Sequence, residues 1–339
     1  MTKKEIIEKN RKIIEEILLY YEFYNSELLD LFDTISIISH DFFCELYQKI
    51  PENGFEFDYE KMSIDDSINL VRDFLSSVDK KYVDIFDKTL NDGVFELFLI
   101  EDDLVERPKE PVTYPKPEAS IYIPVQNNIT DGSIIVHEFF HYLNDNNNIG
   151  LNRYIFTEMI SIYFELRYCK YLVDKRISKD ALNKEICKRL DNTLIASDNL
   201  CFTSSVLDIY YNTGEINKKN ISFLDKFREI YKYERENLID FYHDSNFCED
   251  ISEFESDISY VIGSFLAFNA LNETAVSDIK MKYINENINQ MNIKDVFEVL
   301  QTDFDEYPNW IKICKENLKK AVSEIYEENY SYSRTNGSR

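Results

Sequence analysis

Four histidines occur in the 339-residue chain: His40, His137, His141 and His243. Two of them frame Val136-His137-Glu138-Phe139-Phe140-His141, an H-E-x-x-H pattern inside an apolar stretch with helical periodicity. On a helix, residues i and i+4 stand one turn apart on one face, so both imidazoles can reach a single ion. Glu138 lies roughly 100° around the helix from His137, placed to act on a water rather than to bind the ion. With four histidines the pattern arises by chance about 0.005 times per chain, so a fortuitous match explains it poorly.

A hydrolytic zinc centre keeps three protein ligands and one open position. The next strong helical pattern, Phe156 to Leu166, carries Glu158 and Glu165 among Met159, Ile160, Ile162, Tyr163 and Phe164. Carboxylates in such company are costly unless they ligate or pair. Seven residues is two turns, so the two acids share a face. Glu158 is the expected third ligand, with Asp145 and Glu165 as competitors. Glu165 is then the expected acceptor for a ligand imidazole, fixing its tautomer. The tetrahedral intermediate of amide hydrolysis needs an oxyanion donor. Tyr260 and His243, the latter in Phe241-Tyr242-His243-Asp244, are the candidates. His40 follows Ile37-Ile38-Ser39 and reads as structural.

H-E-F-x-H followed by E-x-x-S-x-x-x-E (Glu158, Ser161, Glu165) resembles a family of gluzincin peptidases, the thimet oligopeptidase and oligoendopeptidase F group. The resemblance covers about residues 90 to 330 and is strong at these two motifs. It implies that Glu158 is the third zinc ligand. It also implies that Ala119 to Val125 is a sheet edge running beside bound substrate. Asp257 to Ala267, containing Tyr260, is similar to the family's helix that serves the scissile carbonyl. The chain departs from the family pattern at Phe140, where glycine is usual, and in the short spacing of 17 positions from His141 to Glu158.

The elements that must position these groups are mostly helical. Thr2 caps a stretch bearing Ile6, Ile13, Ile14, Ile17 and Leu18, and Ser63 with Asp66 reads as a cap for a helix through Val71 and Phe74. Ser178 and Ser222 read as further caps. Two strands are expected, Val94 to Ile100 and Ala119 to Val125, joined through Pro108, Pro111, Pro115 and Pro117. The expected fold is mainly α: a zincin-like helical metallopeptidase domain with one small β-sheet next to the active-site helix. The expected organisation is an N-terminal helical region over 1–92, a catalytic region with C-terminal helices over 93–330, and a flexible tail over 331–339.

Composition narrows the function. Lys+Arg 38 against Asp+Glu 63 leaves a net charge of −25, which argues against nucleic acid and anionic membrane surfaces as partners and favours neutral or basic substrates. None of the six cysteines forms a C-x-x-C pair. The charged start MTKKEIIEKN lacks an apolar core, so no signal peptide is expected and a cytoplasmic setting is. The expected activity is hydrolysis of peptide bonds in a peptide or protein substrate, with Zn2+ as cofactor. Glu138 activates the zinc-bound water. The competing expectation is a catalytically inactive metallopeptidase-like protein that keeps the ion and binds a partner.

Overall fold

The computed structural model describes residues 2–24, 57–99, 112–113, 121–144, 151–217, 219–220, 242–243, 247, 254–301, 316, 319–320 and 322–324. His40, Asp145, Ser222 and the 331–339 tail lie outside the described residues. The chain divides into two compact units, one of residues 1–51 and 191–262, the other of 52–190 and 263–339.

In the first unit, α1 (Lys3–Tyr24) buries Ile14 and Leu18. Its Asn10 side-chain amide donates to the carbonyl of Tyr242 at 2.8 Å. The later part of the long helix α6 (Ala181–Thr213) belongs here, with Leu200, Val206 and Ile209 buried. Tyr210 donates from its hydroxyl to Glu15 at 2.8 Å.

The second unit holds the two motifs. Helix α2 (Ile64–Val78) starts where the sequence indicates: the Ser63 hydroxyl accepts from the Asp66 amide at 3.2 Å. Asp79 ends α2 and, through its carboxylate, caps α3 (Lys80–Asn91). Both helices present one apolar face, Val71, Phe74 and Leu75 on α2 and Tyr82 and Phe86 on α3. Gly93 then takes a φ of +68°, a conformation glycine adopts without strain, and turns the chain into the sheet.

Strands β1 (Phe95–Leu99) and β3 (Ile121–Val125) fall on the two expected segments and pair in parallel, Phe95 opposite Ile121 and Leu99 opposite Val125. A two-residue strand, β2 (Val112–Thr113), pairs antiparallel with Tyr122 and Ile121. The order β1-β3-β2 makes β3 the middle strand, which corrects the sheet-edge role implied by the resemblance. The sequence could not show this, because β2 is too short for an alternating pattern and sits among prolines.

The turn from β3 into α4 (Thr130–Asn144) is pinned by side chains. Asp131 accepts from the backbone amides of Gln126 at 2.8 Å and Asn128 at 3.2 Å, while Asn128 accepts from the Thr130 amide at 2.8 Å. Backbone bonds from Met62 to Asn127 and from Ile129 to Glu60 tie the same turn to the chain before α2. Helix α4 is buried nearly all round and packs along α5 (Leu151–Asp174). Helix α6 begins at Ala181, not at a Ser178 cap; the Ser178 hydroxyl donates instead to Glu60 at 2.8 Å. Three further helices follow, α7 (Phe254–Ala270), α8 (Thr274–Asn287) and α9 (Ile293–Leu300). Among the described residues, no helix is long and apolar enough to cross a membrane.

Candidate metal centre

Phe140, between the two motif histidines, is absorbed by packing. Phe140 is fully buried and stacks on Phe164 of α5 with ring centroids 3.8 Å apart and planes within 7°. Tyr82 meets the edge of the same ring at 5.4 Å, and Phe139 packs on Phe86 at 5.5 Å. The aromatic layer thus occupies the α3 and α5 side of α4. The imidazoles face α5 as well, toward Glu158 and Glu165.

His137 and His141 bring their Nε2 atoms to 3.0 Å from each other. Glu158, on α5, completes the group: its Oε1 lies 3.2 Å from His141 Nε2 and its Oε2 3.8 Å from His137 Nε2. These three separations bracket the roughly 3.3–3.4 Å that two bonds of about 2.0–2.1 Å at a tetrahedral angle require. Glu158 Oε2 is buried and finds no hydrogen-bond partner among the described residues. Two converging imidazole nitrogens and a buried carboxylate with one orphaned oxygen have the donor chemistry for a divalent cation. These three side chains are the ones whose atoms could hold a metal ion among the described residues. Glu138, 7% exposed, stands next to His137 on the same helix.

The charges explain one another. Burial lowers the pKa of His141, but the Glu158 charge and hydrogen bond outweigh it and push it up to about 9. Burial would raise Glu158; the His141 charge and hydrogen bond, then His137, bring it to about 2. His137 is held well below its ordinary value by burial first and then by the Arg189 charge.

Behind His137 lies a second group that sequence reasoning only partly found. Glu165 is fully buried, with Oε2 3.0 Å from His137 Nδ1. Arg189, from the first turns of α6 and 7% exposed, bonds the same Glu165 oxygen, and its Nη2 lies 3.1 Å from His137 Nδ1. Glu185, one turn earlier, places Oε1 3.7 Å from Arg189 Nε and 3.2 Å from Lys188 Nζ. Burial raises the pKa of Glu185; Lys188 pulls against that rise and the Glu165 charge adds to it. Arg189 is not among the expected site residues; its i, i+4 spacing from Glu185 is that of an ordinary helix-surface pair. The available signal was their setting among Ile186, Cys187 and Leu190, all buried.

A third device sets the position of Glu158. Gly263 of α7 lies against α5 so closely that a β-carbon there would fall 2.9 Å from the Met159 nitrogen and 3.3 Å from the Glu158 carbonyl carbon. Of the proposed oxyanion donors, Tyr260 is on α7 and His243 follows Tyr242, whose ring centroid is 5.5 Å from its own. Both belong to the first compact unit.

No family model and no curated protein matches this chain. Two solved structures are similar in fold. One, provisionally named oligoendopeptidase F, superposes with a TM-score of 0.57 at 11% identity, over 88% of this chain and 58% of its own. The other, from Bacillus anthracis str. Ames and named in the same provisional way, gives 0.52 at 11% identity, over 89% of this chain and 57% of its own. The chain therefore spans less than three fifths of the length of either, and its fold is similar to an oligoendopeptidase-like helical domain.

Proposed function

We propose that this chain is a zinc-dependent peptidase of the gluzincin kind, with His137, His141 and Glu158 as metal ligands. The observation that carries the reading is the Glu158 carboxylate: its Oε1 lies 3.2 Å from His141 Nε2, while its buried Oε2, without a hydrogen bond among the described residues, lies 3.8 Å from His137 Nε2. Zinc in that position supplies Lewis acidity, polarising a carbonyl and bringing the pKa of water to about 7. Glu138 takes the proton from the attacking water on its carboxylate and delivers it to the departing amine nitrogen. Glu165 holds the ring proton of His137 on Nδ1. The net charge of −25 favours neutral or basic peptides.

Turnover of a quenched peptide library, with zinc present, tests the proposal. Wild type is expected to cleave members of the library, and Glu138→Gln to bind zinc equally while losing about 10²–10⁴ in rate. A wild type as inert as Glu138→Gln on diverse peptides overturns it.

A further inference from the structure

Arg189 is a cation buried behind the candidate centre, on a helix that neither motif includes. Its Nη2 reaches two atoms at once, Glu165 Oε2 and His137 Nδ1, while its Nε faces Glu185. Two proton arrangements would fit that crossing. In one, Arg189 donates to His137 Nδ1, and the ring proton sits on Nε2. In the other, His137 Nδ1–H donates to Glu165, and Arg189 spends its N–H groups on the carboxylate.

The surroundings decide between them. A proton on His137 Nε2 would point at His141 Nε2, 3.0 Å away, an atom already engaged with Glu158 at 3.2 Å. Glu158 Oε2, at 3.8 Å, is too far to accept it. A proton on Nδ1 has a carboxylate at 3.0 Å. The guanidinium, with several donors in one plane, can hold that carboxylate against the ring.

We propose that Arg189 is a positioning residue: lodged between Glu165 and Glu185, it clamps Glu165 onto His137 Nδ1, so that the ring carries its proton there and turns the Nε2 lone pair toward the cation. The part that concerns the cation rests on the peptidase reading above; the tautomer does not. Arg189 touches neither substrate nor ion in this account. It acts through Glu165 on His137, a chain of three buried side chains joining α6, α5 and α4.

Two measurements on full-length protein test this. The first is the ¹⁵N shift pattern of the ring nitrogens in metal-free, histidine-labelled protein, where four histidines keep the spectrum assignable. Wild type is expected to show His137 protonated on Nδ1, and Arg189→Met to lose that preference. The second is zinc affinity by chelator competition. Arg189→Met is expected to bind about 10- to 100-fold more weakly than wild type. The pair Arg189→Met/Glu165→Gln should lose little more than either single change, since both act through one contact. Should Arg189→Met fail to fold, Arg189→Lys carries both measurements; it keeps the charge without the planar fork and is expected to weaken zinc binding at least fivefold. Wild-type His137 protonated on Nε2, or a folded Arg189 variant with unchanged tautomer and zinc affinity within twofold of wild type, overturns the proposal. A wild type that binds no zinc would sink the peptidase reading, while the ring-nitrogen signals would still decide this one.

Discussion

Oε2 of Glu165 lies 3.0 Å from Nδ1 of His137, so the two ring nitrogens of one buried histidine face two different carboxylates of the same helix. Glu158 stands on the Nε2 side and Glu165 on the Nδ1 side, two turns apart on α5. On the proposal above, one ring nitrogen keeps a proton and the other is left to bind. Replacing Glu165 by Gln offers Nδ1 either an amide donor or a weaker acceptor. Zinc affinity, measured by chelator competition, is expected to fall at least about tenfold while the protein remains folded.

The pH dependence follows from His141. Its pKa, up to about 9 beside Glu158, exceeds the ordinary 6.5, so in metal-free protein the ring is protonated across neutral pH. The sign is that of a base with a raised folded pKa. The His141–Glu158 pair stabilises the metal-free protein fully between about pH 4.5 and 6.5, and loses that contribution as pH rises through about 9 or falls through about 2. A cation must displace this proton, so apparent zinc affinity is expected to rise by up to about tenfold per pH unit from 7 toward 9 and then level off. Calorimetric titration in buffers of different ionisation enthalpy should record close to one proton released per ion at pH 7.

Gly263 should tolerate no side chain. A methyl group there would meet the Met159 nitrogen and the Glu158 carbonyl carbon, both main-chain atoms that yield only if α5 shifts. Gly263→Ala is expected to cost about 1–3 kcal/mol in denaturant unfolding. It should also weaken zinc binding, since Glu158 moves with its backbone. An equally stable variant with wild-type affinity would show that α7 does not set the ligand's position.

Phe140 is expected to matter for folding. Truncation to Ala removes a ring stacked on Phe164 and edged by Tyr82, leaving a cavity between α4, α3 and α5. A loss of about 3–5 kcal/mol is expected from chemical denaturation.

Much of this arrangement was legible in the residues themselves. The spacing of His137 and His141, and of Glu158 and Glu165, fixed which side chains share a helix face, because those periods are properties of the helix and need no tertiary information. The Ser63 cap and both main strands were likewise local signals. What escaped was set by long-range contact. Arg189 and Glu185 look like a surface pair until Glu165 is brought against them. The middle position of β3 depends on a two-residue partner, and Ser178 was drawn from its capping role by Glu60, more than a hundred residues away in sequence.

The central claim is a cation held between two imidazoles of α4 and one carboxylate of α5. Metal analysis of protein purified in the presence of zinc and freed of loosely bound ions tests it most directly. One zinc per chain is predicted for wild type and for Glu138→Gln, falling far below one for His137→Ala and for Glu158→Ala. Wild-type protein with far less than one equivalent, or Glu158→Ala retaining a full one, would contradict it.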